Sequence, residues 1–123
     1  MFEDAIAQFN SGEYYTCHDT LEEIWHNAWQ GDRAFYQGIL QIAVGLYHLQ
    51  NHNYNGAMIL LGEGTSRLPP YTPDYLSIDV QRLLEESITL LHAIQQSNQN
   101  YLLLSDQLQR GELALPKIYR LLC

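Results

Sequence analysis

The chain has few basic residues and a single lysine. Its 123 residues include 14 acidic and 6 basic side chains, which gives a formal net charge of -8. Proteins that bind nucleic acids or anionic membranes neutralise phosphates with clustered Lys and Arg side chains, and this sequence has no such cluster. We therefore expect no nucleic-acid partner and no membrane partner. The acidity fits a neutral or positively charged partner.

Cysteines and long apolar runs are also scarce. Cys17 and Cys123 are far apart and form no CxxC pair, so neither a disulfide framework nor a zinc ribbon is expected. The longest apolar run, residues 39–49, is interrupted by Gln41 and His48 and is too short to cross a bilayer. The first residues are acidic, whereas a secretory signal peptide begins with basic ones. These features predict a soluble cytoplasmic protein with reduced thiols.

Apolar spacing and helix breakers predict an all-α fold with no sheet. Apolar side chains recur at helical spacing through most of the chain, and Gly, Asn and Pro residues separate these stretches. We expect a compact bundle of about five to six helices, built from stacked antiparallel helical hairpins, in one domain over residues 1–123. The predicted helices are a short one before residues 10–12, then 13–29, 33–50, 54–68, 79–96 and 101–110, followed by a short apolar turn.

Local signals predict how the helices begin and how they pack. Asp32 is expected to cap the third helix, and Asp79 or Ser77 the fifth, because their side-chain oxygens accept hydrogen bonds from free N–H groups. Gly38 and Gly45 lie seven residues apart on one face of the third helix. Glycine weakens a helix, so close approach of a neighbouring helix is the expected compensation.

A faint internal repeat supports the hairpin arrangement. Four positions of the first hairpin align with four positions 40 residues later, pairing Phe9 with Leu49, Tyr14 with Tyr54, Cys17 with Ala57 and Leu21 with Leu61. An aromatic residue followed three residues later by a small one is typical of paired helices in repeat proteins. The repeat therefore predicts two stacked helical hairpins.

Two stretches also resemble a known family. Residues 9–25 carry the motif FNxGEYYxxHxxxExxW, and residues 35–44 read FYQGILQIAV. Together with shorter matches at 53–57, 68–71 and 78–80, they resemble the domain-of-unknown-function family numbered 309. The resemblance covers a core of about residues 9–80 and leaves C-terminal helices over about 79–123. It implies a compact all-helical domain and no established activity.

The most chemically distinctive side chains lie on the second and third predicted helices. His18 and Glu22 are four residues apart, so their side chains meet on one helix face, which Trp25 continues. An antiparallel hairpin is expected to bring His48 of the third helix near His18 and to place Gln41 or Val44 opposite Glu22. Gln37 is expected toward one end of this cluster.

This cluster permits two interpretations. In the first, His18 and Glu22 are candidate catalytic residues, because a carboxylate that orients an imidazole forms a general base. Gln37, Gln41, His48 and Trp25 are then candidate substrate-binding residues. In the second, the same groups form a buried polar network that only holds two helices in register. The residues alone do not decide whether the protein is an enzyme.

A metal site is a weaker alternative. His48 and His52 are four residues apart, and His18 is a candidate third ligand. Against this, His52 stands between two asparagines in a predicted turn. Glu23 and His26 match half of a di-iron motif, but no second Glu-x-x-His occurs. No cofactor is predicted, and a divalent metal remains a minor alternative.

Two further residue types are candidates for the site, Cys17 as a nucleophile and the tyrosines as part of the lining. Cys17 is adjacent to His18, but adjacent helical residues point about 100° apart, so a buried structural cysteine is the expected role. Five tyrosines fall near the hairpin, at positions 14, 15, 36, 47 and 54. Most are expected at the edge of the core, and some at the mouth of a polar cleft.

Two functions follow as hypotheses. The first is a small-molecule or catalytic site built on His18 and Glu22, which requires their side chains to face a water-accessible cavity. The second is a helical protein-interaction or scaffold module, which requires an exposed apolar groove. A homodimer or another protein partner is compatible with either hypothesis.

Overall fold

A computed structural model describes residues 1–121 of the chain, and in this part the predicted all-α bundle is confirmed. The six helices are α1 (Phe2–Asn10), α2 (Tyr14–Asn27), α3 (Gln30–Gln50), α4 (Tyr54–Arg67), α5 (Val80–Gln96) and α6 (Tyr101–Gln109). A 3-10 turn (Pro69–Tyr71) and two short strands, β1 (Asp74–Tyr75) and β2 (Ile78–Asp79), lie between α4 and α5. None of these helices has both the length and the apolar character needed to cross a membrane.

Helices α2 and α3 form an antiparallel hairpin. Tyr15 near the start of α2 packs on Tyr47 near the end of α3, with ring centroids 5.3 Å apart. At the other end, the Arg33 guanidinium lies 4.1 Å from the centroid of the Trp25 ring. Helix α3 packs against both α2 and α4 and contributes nine buried residues. It is therefore the central helix, as its apolar circumference predicts.

Glycines allow α3 and α4 to approach each other closely. A Cβ atom added to Gly38 would lie 2.8 Å from the Leu68 side chain, and one added to Gly45 would lie 3.1 Å from the backbone nitrogen of Leu61. A Cβ atom on Gly64 would lie only 2.7 Å from the carbonyl oxygen of Gly38. The close approach predicted at Gly38 and Gly45 is present, and Gly64 of α4 completes it.

The repeated positions occupy equivalent places in two helical hairpins, α1–α2 and α3–α4. Tyr14 and Tyr54 are the first residues of α2 and α4, and both are buried. The other paired positions are also buried, namely Phe9 with Leu49, Cys17 with Ala57 and Leu21 with Leu61. The offset of 40 residues thus corresponds to stacked hairpins that place the same positions in the core.

One predicted helix cap, Asp79, is confirmed, and another, Asp32, is wrong. Asp79 caps α5, since its carboxylate accepts a hydrogen bond from the Arg82 backbone N–H at 3.0 Å. The expected cap at Asp32 is wrong, because α3 already begins at Gln30 and places Asp32 in its first turn. A carboxylate is favourable there because it faces the positive end of the helix dipole. Asp32 also accepts a hydrogen bond from the Tyr75 hydroxyl.

The expectation of no strand at all is wrong in one small region. Strands β1 and β2 pair antiparallel, with Tyr75 opposite Ile78. The C-terminal segment, expected to be a turn, is extended and continues this pairing: Asp79 N–H donates to the Tyr119 carbonyl and Leu121 N–H to the Ser77 carbonyl, both at 2.9 Å. Strands of two residues are too short to show an alternating pattern in the sequence.

The core contains one polar group whose removal is expected to stabilise the protein. Ser87 of α5 is fully buried, and its hydroxyl has no hydrogen-bond partner within residues 1–121. A buried hydroxyl without a partner is destabilising. We expect Ser87→Ala to raise the free energy of unfolding in urea by about 1 kcal/mol. Ser66→Ala, at an exposed site on α4, is the control for helix propensity. Its free energy of unfolding should rise by only a few tenths of a kcal/mol. A less stable Ser87→Ala protein would contradict this prediction.

Candidate functional site

A cavity between α2 and α3 brings two histidines together. Tyr15 and His18 of α2 and Val44, Tyr47 and His48 of α3 line a cavity of about 130 Å³. On each helix these residues are three or four positions apart, so they share one face. The antiparallel hairpin therefore places His18 close to His48, as expected from the sequence.

The His18 ring lies between two carboxylates. Its Nε2 atom is 3.2 Å from Glu22 Oε2, as the four-residue spacing predicts. Its Nδ1 atom is 3.3 Å from Asp19 Oδ1, but the contact lacks hydrogen-bond geometry and Nδ1 is buried. Both ring nitrogens therefore face acidic side chains, and only 27% of the His18 side chain is exposed. Asp19 is a site residue that the sequence analysis missed.

The second histidine is oriented by the turn that follows α3. Asn53 caps α4 through Oδ1, which accepts a hydrogen bond from the Gly56 N–H at 3.0 Å. The other polar atom of the Asn53 amide, Nδ2, lies 3.3 Å from His48 Nδ1. Donation by this amide makes Nδ1 an acceptor and places the proton of the neutral ring on Nε2. Asn53 thereby fixes the orientation of the His48 ring.

Gln41 faces a different helix from the one expected. Its Nε2 donates to Glu63 Oε2 at 3.2 Å, and its Oε1 accepts a hydrogen bond from Arg67 Nε at 2.8 Å. Both partners belong to α4. The expected position opposite His18 and Glu22 is therefore wrong, and Gln41 instead connects α3 to α4.

Trp25, Gln37 and the catalytic candidate Glu22 are also absent from the lining of the cavity. The Trp25 ring is covered by Arg33, a contact favoured by cation–π attraction. Gln37 is half-buried, one turn before Gln41. The expected substrate-binding set thus contributes only His48 to the cavity. Arg33 lies in α3, six residues after the end of α2, so only the tertiary structure reveals this contact.

The three histidines considered for a metal do not form a site. His52 lies after the end of α3, with a positive φ of 59°, so it no longer shares a helix face with His48. Its Nδ1 atom contacts the Tyr54 hydroxyl at 3.1 Å. Within residues 1–121, no group of three or more His, Cys, Asp or Glu side chains is placed to hold a metal ion.

Cys17 is a structural residue. It is fully buried, and its thiol donates to the Ala5 carbonyl at 3.3 Å. Burial raises the pKa of this thiol from 9.0 to about 12, which keeps it protonated at neutral pH. Cys17 therefore has neither the access nor the thiolate that a nucleophile needs. Cys123 lies outside the described residues.

Two of the five tyrosines near the hairpin line the cavity. Tyr15 and Tyr47 pack on each other in its wall. Each also lies beside a histidine ring, Tyr15 by His18 at 5.9 Å and Tyr47 by His48 at 6.1 Å. The sequence signal that could have selected them is their position, three residues before His18 and directly before His48. By contrast, Tyr14 is buried in the core.

The part of the chain that contains this cavity is similar to known proteins. The family model described as Domain of unknown function (DUF309) matches residues 2–60. The Uncharacterized protein YpuF of Bacillus subtilis (strain 168) is 31% identical over 86 residues, which cover 67% of this chain and 49% of the relative. The chain thus spans about half the length of this curated relative. No solved structure matches the chain. The predicted resemblance to this family is confirmed over residues 2–60, which supply every side chain lining the cavity.

Proposed function

We propose that this protein binds a small molecule in the cavity between α2 and α3. The observation that supports this proposal is the convergence of His18 and His48, from two different helices, on one cavity of about 130 Å³. An engineered cavity of about 150 Å³ holds one benzene molecule. The space therefore suits a ligand, or part of a ligand, about the size of a single ring.

The geometry favours binding over general-base catalysis. A general base needs a ring nitrogen that can accept a proton from the substrate. Both nitrogens of His18 face carboxylates, and Nδ1 is inaccessible. The Asn53 amide occupies Nδ1 of His48. We therefore assign the two imidazoles to shaping the site and contacting the ligand.

A fragment titration followed by NMR tests the proposal. Small aromatic and aliphatic fragments, phenol and cyclohexanol among them, would be titrated into isotope-labelled protein while backbone amide shifts are measured. We expect the amides of the five lining residues to move together. Val44→Phe should abolish these shifts because the larger ring fills the cavity. Ile59→Phe is the matched control, since it makes a similar enlargement at an exposed position on α4.

Two results would overturn the proposal. The first is a set of fragment shifts that map elsewhere and remain unchanged in Val44→Phe. The second is the absence of shifts combined with losses of more than 1 kcal/mol in unfolding free energy for both His18→Ala and Glu22→Ala. The second outcome would favour the scaffold hypothesis, in which the cluster is a structural network. If Val44→Phe does not fold, Val44→Leu, a smaller enlargement at the same position, replaces it and should weaken the fragment shifts.

One part of the predicted cluster supports the structural interpretation already. Gln41 is buried and connects α3 to Glu63 and Arg67 of α4, and a hydrogen-bonded amide at such a position holds two helices in register. We therefore propose a division of roles. Gln41 supports the α3–α4 interface, and the cavity beside His18 takes the ligand.

A further inference from the structure

The electrostatic surroundings of the cavity are negative. The His18 ring contacts the carboxylates of Asp19 and Glu22. These two acids are opposed by at most one positive charge, that of a protonated His18, so the group is negative in either protonation state. The net charge of the chain, -8, adds to this field.

No permanent positive charge compensates for these acids at the cavity. All six Lys and Arg side chains contact other groups, and none of them lines the cavity. The pairs are Arg33 with Trp25, Arg67 with Gln41, Arg82 with Glu86, Arg110 with Asp106, Lys117 with the Asn10 carbonyl and Arg120 with Glu3. An anionic ligand would therefore find repulsion and no partner, whereas a cation would be attracted.

The walls of the cavity suit a cation that carries an apolar group. The Tyr15 and Tyr47 rings meet at an angle of 57° and form an aromatic corner, and the faces of such rings attract cations. Val44 adds an aliphatic surface. We infer that the ligand is an organic amine, with its ammonium group toward Glu22 and the tyrosine rings and its hydrocarbon part in the cavity. This inference rests on the proposed function.

Three probes of similar size and different charge test the ligand class. Benzylamine is a cation at pH 7, benzyl alcohol is its neutral analogue, and benzoate is an anion. Dissociation constants would be measured from the imidazole resonances of His18 and His48, with the other three histidines as internal references. We expect benzylamine to bind most tightly and benzoate most weakly.

Two variants that each remove one negative charge distinguish an interaction with Glu22 from the general negative field of the chain. Glu22→Gln removes the carboxylate beside His18 and should raise the dissociation constant of benzylamine about fivefold, while leaving that of benzyl alcohol unchanged. Neither carboxylate is part of the cavity lining, but Glu22 contacts His18, which is. Glu23→Gln removes the same charge from the adjacent residue of α2 and should change neither constant appreciably. Equal effects of the two variants would overturn the role of Glu22 and with it the amine assignment.

The outcomes distinguish this inference from the proposal on which it rests. If benzyl alcohol or benzoate binds as tightly as benzylamine at the cavity, the ligand is not selected as a cation, and the small-molecule site still stands. If no probe shifts the His18 and His48 resonances, the proposed function fails and the amine inference fails with it. Benzylamine binding that is weakened selectively by Glu22→Gln would support both.

Discussion

Gly64→Ala is expected to lower the free energy of unfolding by about 3 kcal/mol, the upper part of the range for overpacked cores. The new methyl group would lie 2.7 Å from the Gly38 carbonyl oxygen and 2.9 Å from the Ile42 backbone nitrogen. Backbone atoms cannot rotate away as a flexible side chain can, so α4 would have to move from α3. Chemical denaturation in urea, monitored by circular dichroism, measures the loss.

Gly62→Ala is the matched control on the same helix. A Cβ atom at Gly62 meets nothing within 4 Å, so this substitution only replaces a poor helix former with a good one. It should raise the free energy of unfolding by up to about 1 kcal/mol. The free energies of unfolding of the two variants should therefore differ by about 4 kcal/mol, because Gly64→Ala lowers this quantity and Gly62→Ala raises it. Equal stabilities would show that α3 and α4 do not cross at Gly38 and Gly64.

This crossing illustrates which features of the fold could be predicted. The helix ends follow from local chemistry, because breakers such as Gly12 and the prolines after α4 act within a few residues of their own position. The two glycines of α3 predict that a helix comes close, since their conformational penalty needs a compensation. They do not specify which residue of the partner helix completes the contact. Gly64 became identifiable only when the register of α4 on α3 was known.

Long-range pairing explains the features that local signals missed. Asp32 has the side chain of a helix cap, but α3 begins earlier, and the carboxylate accepts a hydrogen bond from Tyr75, 43 residues away. The small β-hairpin is extended by Tyr119 and Leu121 from the other end of the chain. Neither arrangement leaves a periodic pattern in the neighbouring sequence, so spacing alone could not predict it.

The candidate site shows the same division between local and tertiary information. The contact between His18 and Glu22 follows from helix geometry and needs no tertiary structure. The approach of His48 follows from the short connection between α2 and α3. The direction of Gln41 does not follow from either, because α3 is flanked on both sides and only its packing decides which neighbour the amide meets. The predicted cluster therefore separates into a cavity beside α2 and a polar contact with α4.

Cys17 is expected to react with iodoacetamide at least about a thousandfold more slowly in the folded protein than in the unfolded chain at pH 8. The thiolate is the reactive form, and a rise in its pKa from 9.0 to about 12 lowers the thiolate fraction by about that factor. Burial of the sulfur atom slows the reaction further. Mass spectrometry of a Cys123→Ser variant isolates the reaction at Cys17, and the same variant in urea gives the reference rate.

The same pKa shift predicts how stability changes at alkaline pH. The unfolded chain loses the thiol proton near pH 9, whereas the folded protein retains it until about pH 12. Stability is therefore fully present below pH 9 and falls as the pH rises from about 9 to about 12. Tyr14, whose pKa burial raises to about 12, contributes in the same direction above pH 10. Cys17→Ala should reduce the slope between pH 9 and 10, where Tyr14 contributes little. Rapid alkylation of the folded protein at pH 8, with an unchanged slope in Cys17→Ala, would show an accessible thiolate and restore Cys17 as a candidate nucleophile beside His18.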